Sequence, residues 1–382
     1  MANFILYIGF IFVFVSCSGR GQNAVSVFDD IPFDTVKIEF AKGFTIKKHG
    51  DITLLTVSDP WQGAQNVVYH YVLCPKDKEV PPEFLQFTVI RTPIESVICL
   101  ATTHVAMLSA LGLTASIKAL SETAFVSDST VRKAIDEGQI IDIGHSQGLN
   151  YERIIGLNPD LIFAYVVDGG YTGSLARLGS LGQTVVYNAE YLERTVLGKA
   201  EWIKFIAAFF DREEQATDKF NAIRDEYLSL RSVASNREQK LKIICGLPWQ
   251  GIWHIPGGDS WMAEIIADAG GDYIWKENSS REGIPVSIEA VIHQGSTADL
   301  WINAGAACSL AEIRSVDERL SIIKPFQTGA VYNNNARVTA NGGNDFFESG
   351  VVNPHIILKD MIKIFNPDLL PEHKLFYYMK LD

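Results

Sequence analysis

The feature that most constrains the fold of this sequence is a short pattern that occurs twice. It spans residues 150–165 (NYERIIGLNPDLIFAY) and recurs in residues 286–303 (VSIEAVIHQGSTADLWIN). Each copy opens with a helix N-cap residue, Asn150 or Ser287, and an apolar segment typical of a buried strand follows the short helix. The repeat predicts two similar α/β lobes.

Each copy also places a glutamate in the first turn of its helix, Glu152 in the first and Glu289 in the second. A carboxylate there is favoured by the positive end of the helix dipole, which is one explanation for both residues. The alternative is functional. One exposed carboxylate on each of two similar lobes could dock onto two arginines of a symmetric partner.

Length and charge narrow the possible classes of protein. With 382 residues, of which 47% are apolar, the chain can bury two hydrophobic cores. The net charge of −12 argues against nucleic acid as a partner, because binding phosphates requires a basic surface.

The N-terminus has the pattern of an export signal. Residues 4–15 form an apolar run that is too short to span a bilayer, and Ser16-Cys17 follows it as in a bacterial lipobox. We therefore predict a lipoprotein signal peptide over residues 1–17, lipidation of Cys17, and a periplasmic or cell-surface protein anchored to a bacterial membrane. An ordinary secretory signal with an incidental cysteine is the alternative, and residues 1–9 lack the usual basic residues.

The remaining cysteines show no metal-binding pattern. Cys74, Cys99, Cys245 and Cys308 are widely spaced, without the CxxC or Cys/His spacing of a zinc site. Buried free thiols are the simplest interpretation, and a Cys74–Cys99 disulfide is the alternative in an exported protein.

The order of patterns along the chain predicts five segments. A linker and a small antiparallel β extension (18–83) follow the signal peptide, and the first lobe (84–192), an inter-lobe helical segment (193–236) and the second lobe (237–382) come next. In the first lobe, residues 87–93 are predicted as a strand and residues 94–113 as a helix ending at Gly112.

The inter-lobe segment has a helical pattern. Phe220, Ile223, Tyr227 and Leu230 recur at spacings of three and four with charges between them, as in a long amphipathic helix. We interpret it as a stiff connector between the lobes. A helix within one larger domain is the alternative.

Aromatic and polar residues gather in the loops that follow predicted strands. In parallel α/β sheets, ligands bind at the carboxyl ends of the strands, where these loops lie. Broad aromatic faces suit a large, partly apolar, conjugated ligand. Ordinary core packing is the more common explanation for any single aromatic residue, and only their clustering in these loops favours a binding site. The candidate ligand-binding residues are His145, Tyr165, Tyr171, Trp249, Trp253, His254, Trp261, Arg281, Tyr332 and Phe346.

Signatures of enzymes and metal sites are missing from the sequence. It contains no GxSxG, Walker A or GxGxxG motif and no HxH or HExxH pair, so we predict no catalytic residues, no cofactor and no metal ion held by side chains. Two alternatives stay open. The first is that His104, His145 and His254 converge across a cleft to bind a metal ion. The 257–260 segment could be a tight turn or an anion cradle.

From about residue 87 to residue 365 the chain resembles the helical-backbone class of substrate-binding proteins of ABC importers, which handle cobalamin, haem and ferric siderophores. The resemblance rests on VICLATTHVAMLSALGLTASIKALSE, IIDIGHSQGLNYERIIGLNPDLIFAY, GGDSWMAEIIADAGGDYIW and PVSIEAVIHQGSTADLWI. It implies two doubly wound α/β lobes joined by a long rigid helix, with the ligand in the cleft between them and little closure on binding. It also implies that Glu152 and Glu289 dock on a permease dimer.

The departures from the family bear on the ligand. Cobalamin binders of the family have cleft aromatics at positions matching His145, Tyr165 and approximately His254, and His145 replaces a tryptophan. An acidic siderophore implies arginines, for which Arg281 and Arg337 are the candidates in the second lobe. We expect a monomeric protein that binds an iron chelate (siderophore or haem) and delivers it to an ABC permease and its ATPase. A corrinoid binder, or an exported enzyme, sensor or adhesin, is the alternative.

Overall fold

A computed structural model of the chain describes residues 28, 31–145, 148–167, 169–235 and 239–382. The predicted signal peptide and Cys17 lie outside the described residues. Within those ranges, none of the helices has the length and apolar character that crossing a membrane requires.

Short strands and helices alternate along the chain after an N-terminal run of strands. The strands are β1 (Asp34–Thr35), β2 (Phe44–His49), β3 (Ile52–Ser58), β4 (Val68–Pro75), β5 (Thr88–Thr92), β6 (Val97–Cys99), β7 (Ile117–Leu120), β8 (Ile141–Asp142), β9 (Leu161–Ala164), β10 (Val185–Tyr187), β11 (Lys242–Cys245), β12 (Pro248–Trp249), β13 (Ile252–Ile255), β14 (Asp272–Tyr273), β15 (Ile284–Val286), β16 (Leu300–Ile302), β17 (Val331–Asn333) and β18 (Met379–Lys380). The helices are α1 (Thr102–Ala110), α2 (Ser129–Asp136), α3 (Tyr151–Leu157), α4 (Thr172–Ser180), α5 (Val196–Glu201), α6 (Ile203–Ala208), α7 (Glu213–Ser235), α8 (Trp261–Asp268), α9 (Ile288–Gly295), α10 (Leu310–Val316), α11 (Lys324–Gln327) and α12 (Pro354–Phe365).

The N-terminal extension is a five-stranded sheet in the order β1-β2-β3-β4-β5. Its first four strands are antiparallel, in agreement with the sequence pattern. The fifth strand, β5, pairs in parallel with β4 and so belongs to this sheet, although the sequence pattern places it in the first lobe.

The first lobe is built on a parallel sheet in the order β10-β9-β6-β7-β8. Its central strand, Val97–Cys99, is fully buried and falls inside the segment predicted as a helix, so the first part of that prediction was wrong. A central parallel strand is apolar on both faces and cannot be distinguished from a buried helix by periodicity. The helix proper is α1, and Gly112 follows it in the left-handed conformation (φ 71°), as predicted.

The second lobe repeats this architecture. Its main sheet has the order β14-β11-β16-β17-β18 and is parallel except for β18, which the C-terminal tail contributes. A small antiparallel sheet, β12-β13-β15, lies beside it. The sequence pattern predicts a loop over residues 250–260, but this segment contains the strand β13.

The long helix α7 spans 23 residues, about 35 Å, and contacts both lobes. The Gln215 side chain donates to the carbonyl of Leu111 in the first lobe, and the Tyr227 hydroxyl donates to Asp268 of the second lobe. The predicted fold class, two α/β lobes joined by a long helix with a small N-terminal β extension, is confirmed.

Two buried carboxylates hold the extension against the inter-lobe helices. Glu201 accepts from the backbone N–H groups of residues 39, 40 and 41, and Glu193 accepts from those of residues 42 and 43 and from the Trp202 indole. The Lys204 ammonium lies 2.8 Å from Glu201. Burial alone would raise the pKa of Glu201, but Lys204 and the three N–H groups outweigh it, and the pKa is lowered. We call this contact the N-terminal clamp.

The C-terminal tail is held in the same manner. The buried Asp360 carboxylate, on α12, accepts from the backbone N–H groups of Phe376, Tyr377 and Tyr378 and contacts Nε2 of His373 at 2.7 Å. We call this contact the C-terminal clamp.

The two lobes also touch each other directly. The Glu348 carboxylate of the second lobe accepts from the backbone N–H groups of Ser127 and Asp128, both at 2.7 Å. Gly343 lies so close to Phe125 that an added Cβ would sit 2.1 Å from the Phe125 carbonyl oxygen. Such contacts restrict hinge motion between the lobes.

The repeated pattern forms the same local structure in both lobes. The side chains of Asn150 and Ser287 cap α3 and α9 by accepting from the N–H groups three residues on, at 3.0 and 3.2 Å. An aspartate then precedes each strand. Asp160 accepts from the N–H of Ser96 and Asp299 from that of Lys242, so each fastens the start of the neighbouring strand.

Candidate functional site: the inter-lobe cleft

Two adjoining cavities lie between the lobes and share Tyr191 and Trp261 in their walls. The apolar cavity has a volume of about 210 Å³, and the polar cavity about 430 Å³. Together they form the candidate ligand cleft, whose walls come from both lobes.

A third cavity of about 460 Å³ belongs to the second lobe alone. It lies beside Lys242 and Thr297, at the amino ends of strands β11 and β16. Ligands of open α/β sheets bind at the opposite, carboxyl ends, so its position argues against a ligand site.

Aromatic side chains of the second lobe form one wall of the apolar cavity. Trp261 opens α8, whose N-cap is Ser260, and its ring lies 6.3 Å from that of Phe346. Phe347 packs edge-on against Phe346 at 5.0 Å. Phe347 is 57% exposed, so its ring is available to a ligand.

Charged groups from the end of the first lobe and from the inter-lobe segment face these rings. Glu190 is only 3% exposed, and its Oε2 has no hydrogen-bond partner among the described residues. Burial raises the pKa of Glu190 and lowers that of Lys199, whose ammonium lies 4.9 Å from the centre of the Trp261 ring. A buried oxygen without a partner is destabilising, and a ligand that donates a hydrogen bond would satisfy it.

The polar cavity is bounded by three parts of the chain: the extension loop 59–63, residues 191–194 at the junction of the first lobe and the inter-lobe segment, and residues 259–261 and 281–283 of the second lobe. Across both cavities the walls carry five acidic and three basic side chains. The acidic ones are Asp59, Glu190, Glu193, Asp259 and Glu282, and the basic ones are Arg194, Lys199 and Arg281. Acidic side chains therefore outnumber basic ones in these walls, while burial favours the neutral forms of Glu190 and Lys199.

The structure brings some of the sequence-predicted binding residues together here. Trp261, Arg281 and Phe346 line the cavities. Tyr165 is 37% exposed and packs edge-on against Tyr191, at 6.1 Å between ring centres, so it stands behind the cavity wall. For Tyr171 the structure describes the backbone but not the side chain.

Trp253 is a core residue, and its prediction as a ligand contact requires correction. Its side chain is fully buried, its indole N–H donates to the carbonyl of Cys245, and its ring lies 5.4 Å from that of Trp301. The alternation of β13 turns Trp253 into the second lobe, while the neighbouring His254 points out and is exposed.

The other predicted contacts lie away from the two cavities. His145, Trp249, His254 and Tyr332 are not among the residues that line either one. Arg337, the second arginine candidate, is already paired with Asp345 at 2.6 Å.

The remaining alternatives concern metals, thiols and anions. Across the described ranges, no three His, Cys, Asp or Glu side chains cluster as metal ligands. His104 is fully buried in the first lobe, and burial lowers its pKa to about 3. Cys74 and Cys99 are free, and the 257–260 segment is a tight turn because the Ser260 N–H donates to the Gly257 carbonyl.

Sequence reasoning missed several cleft residues. Glu190 and Lys199 gave no distinctive signal, because Glu193, Arg194 and Glu201 are charged residues of the same stretch. Trp61 gave none, because it follows an Asp-Pro turn in a region assigned to a separate extension, and only tertiary packing brings that turn to the cleft.

Both repeat glutamates are exposed at the starts of their helices, as the sequence predicts. The Glu289 carboxylate is paired with the Arg319 guanidinium at 2.6 Å, and Arg319 also pairs with Asp317. The backbone N–H of Glu289 and the Arg319 guanidinium lower the pKa of Glu289. Glu152 has no ion pair among the described residues.

Two lobes fixed on a long helix, with an aromatic-lined cleft between them, define a solute-binding protein. Comparison with known proteins supports this assignment. Residues 97–320, more than half of the chain, match the model of the Periplasmic binding protein family, and the chain belongs to that family. Its members bind and deliver solutes to ABC importers outside the cytoplasm, so the prediction of a binding protein rather than an enzyme is confirmed.

Individual relatives are similar in sequence, and solved structures share the fold. The chain is 28% identical to an uncharacterized lipoprotein of Methanocaldococcus jannaschii, over 77% of this chain and 70% of the relative. It is 27% identical to a vitamin B12-binding protein of Vibrio parahaemolyticus, over 56% of this chain and 72% of the relative. A possible iron-binding (periplasmic solute-binding) protein of Staphylococcus epidermidis shares the fold with a TM-score of 0.55 and 18% identity, over 72% of this chain and 99% of that structure.

Proposed function

We propose that this protein is a lipid-anchored substrate-binding protein that captures a metal chelate, first of all an iron chelate, in the inter-lobe cleft and delivers it to an ABC permease. The observation that carries the proposal is the pair of adjoining cavities lined by Tyr191, Trp261, Phe346 and Phe347. Large aromatic faces with a few buried polar groups suit a bulky, partly apolar ligand.

The charge of the cleft narrows the class of chelate. Five acidic side chains against three basic ones repel a ligand with a net negative charge, and the unpartnered oxygen of Glu190 attracts a hydrogen-bond donor. A neutral or cationic ferric hydroxamate fits these conditions better than haem or a ferric catecholate. The second candidate is a corrinoid, whose periphery carries amide donors and which the vitamin B12-binding relative favours.

Quenching of tryptophan fluorescence tests the ligand class. The purified protein is titrated with a ferric hydroxamate, a ferric catecholate, haem and cobalamin. We expect saturable quenching at micromolar or lower concentration by the hydroxamate, with cobalamin next. If none of the four ligands quenches the fluorescence, a metal chelate is not the cargo. Preferential binding of haem or the catecholate would contradict the charge argument alone.

Delivery is proposed to depend on Glu152 and Glu289 as charge-assisted contacts to a permease dimer. The test is chelate uptake by cells that carry the double variant Glu152→Ala/Glu289→Ala, which should fall to background while chelate binding in vitro is unchanged. The matched control is Glu83→Ala, which removes an exposed glutamate of the short 3-10 helix Pro82–Phe84 in the extension. Normal uptake by the double variant would favour a sensor or adhesin that no longer serves a permease.

Membrane attachment is proposed to depend on Cys17. Because removing the thiol removes the acceptor of the lipid, Cys17→Ser should move the protein from the membrane fraction to the soluble fraction and abolish incorporation of labelled palmitate. An unchanged membrane fraction would show that something other than Cys17 anchors the protein.

A further inference from the structure

The N-terminal extension lies outside the matched family region, which begins at residue 97, yet it reaches the cleft. We propose that the extension loop 59–63 is a third wall of the ligand site and that Trp61 contacts the bound chelate and helps to select it. The inference rests on the proposed function, because it assigns the extension a role in binding the same ligand.

The extension is fixed firmly enough to serve as a wall. The N-terminal clamp engages five consecutive backbone N–H groups, residues 39–43, through Glu193 and Glu201. Two further ion pairs join the extension to the long helix α7: Glu39 with Arg224 at 2.7 Å and Lys48 with Glu213 at 3.1 Å. These contacts tie the sheet to the same segment that lines the cleft, so its loop keeps a fixed position relative to Tyr191.

The loop itself is held at its base and at its tip. The backbone N–H of Asp59 donates to the carbonyl of Val67, and the Asp59 carboxylate accepts from the N–H of Val67, at 2.7 and 2.9 Å. The N–H of Gln62 donates to the carbonyl of Val167 in the first lobe at 3.1 Å. The loop is therefore preorganised, and little conformational entropy is lost when a ligand contacts it.

Trp61 presents part of its indole to the polar cavity. The opposite part is supported by Tyr69 and Tyr187, at 6.3 and 6.0 Å between ring centres. Trp261 of the second lobe lines the same cavity, so two indoles from distant parts of the chain border one space. A supported, half-buried tryptophan beside a cavity is the kind of residue that contributes most to binding energy.

The charge beside Trp61 specifies the type of ligand surface that it meets. Asp59 lines the same cavity from the extension side, and Asp259 and Glu282 line it from the second lobe. Glu193, Arg194 and Arg281 also line it, so its walls carry four acidic and two basic side chains. The ligand surface that fits this wall is therefore an apolar face bordered by neutral or cationic polar groups. The extension strengthens the preference for chelates without net negative charge.

The test compares Trp61→Ala with Trp249→Ala in the full-length protein. Trp249 is 69% exposed and lines neither cavity, so its variant controls for the loss of a surface indole. Dissociation constants are measured by isothermal titration calorimetry with the member of the four-ligand panel that the wild type binds most tightly. We expect Trp61→Ala to weaken binding about tenfold or more and Trp249→Ala to change it less than about twofold.

A third variant, Trp61→Phe, separates contact from folding, because a phenyl ring preserves the packing on Tyr69 and Tyr187. It should keep the wild-type melting temperature and an intermediate affinity. If the wild type binds a chelate and Trp61→Ala binds it with the same affinity, Trp61 does not contact the ligand and the third-wall proposal is wrong. The proposed function is not affected by that result. Equal weakening in Trp249→Ala also overturns the third-wall proposal. A wild type that binds none of the four ligands overturns the proposed function and this inference together.

Discussion

The two copies of the repeat have the same local structure but different surroundings. In both, a side-chain cap starts a short helix, a glutamate stands exposed in its first turn, and an aspartate fastens the neighbouring strand. In the first lobe the glutamate, Glu152, has no ion pair among the described residues, whereas in the second lobe Glu289 is held by Arg319. Local sequence determines the element, and the neighbouring chain determines how its charge is presented.

The two terminal segments of the chain differ in the same sense in how they are attached. The N-terminal clamp uses two carboxylates and a buried lysine to hold a whole sheet, and that sheet reaches the ligand cleft. The C-terminal clamp uses one carboxylate to hold a tail that adds one edge strand. The extension, which forms a wall of the cleft, is therefore held by more buried polar contacts than the C-terminal tail.

The largest expected effect is on the N-terminal clamp. Glu201→Ala leaves the Lys204 ammonium and three backbone N–H groups buried without their partner, which should lower the free energy of unfolding by about 3–5 kcal/mol. Chemical denaturation measures the loss. Glu213→Ala, which breaks only the more exposed pair with Lys48, should change it by about 0–1 kcal/mol. Equal losses in the two variants would show that the buried contacts of Glu201 contribute no more to the free energy of unfolding than the exposed ion pair of Glu213.

The contact of Glu348 with the first lobe should make stability depend on pH. Burial raises the pKa of Glu348 to about 7, while the N–H groups of Ser127 and Asp128 lower it only in part. The unfolded chain therefore releases this proton at lower pH than the folded one. The stabilisation is complete below about pH 4.5 and is lost as the pH rises through about 7, by about 3 kcal/mol at most.

Glu348→Gln stays neutral at every pH and should lose that dependence. The free energies of unfolding of both proteins are measured at pH 5 and pH 7.5. Taking the difference between the two proteins cancels other groups with raised pKa values, such as Glu264. The same change with pH in both proteins would assign the dependence to another group.

The C-terminal clamp should contribute less than its N-terminal counterpart. Asp360→Ala leaves three backbone N–H groups unsatisfied but no buried lysine, so we expect the free energy of unfolding to fall by about 2–3 kcal/mol. His373→Ala removes only the imidazole contact and should have an effect of about 1 kcal/mol. A loss for Asp360→Ala as large as that for Glu201→Ala would remove the distinction between the clamps.

The smallest effect concerns the two repeat glutamates. Because Arg319 offsets part of the charge of Glu289, Glu152→Ala should reduce chelate uptake roughly two- to fivefold more than Glu289→Ala does. In an Arg319→Ala background the two single variants should become equal. Uptake rates measured across these variants test the role of Arg319. If Glu152→Ala and Glu289→Ala have equal rates in both backgrounds, Arg319 has no influence on docking.

Much of the fold could be predicted because the signals were local. Caps such as Ser287, the left-handed Gly112 and the apolar spacing of α7 are encoded within a few residues. The strand Val97–Cys99 was mistaken for helix because a central strand is apolar on both faces, and Trp253 was mistaken for a ligand contact because the strand β13 was not recognised. Trp61 and Glu190 depend on long-range packing, which no local pattern records.

The central claim is that a chelate occupies the cleft beside Trp261. The most direct test is a fluorescence titration of the wild type and of Trp261→Phe with the ferric hydroxamate. The predicted result is a single binding site with strong quenching in the wild type, and weaker binding with reduced quenching in Trp261→Phe. Tight binding with the same affinity in both proteins would place the ligand elsewhere and contradict the account.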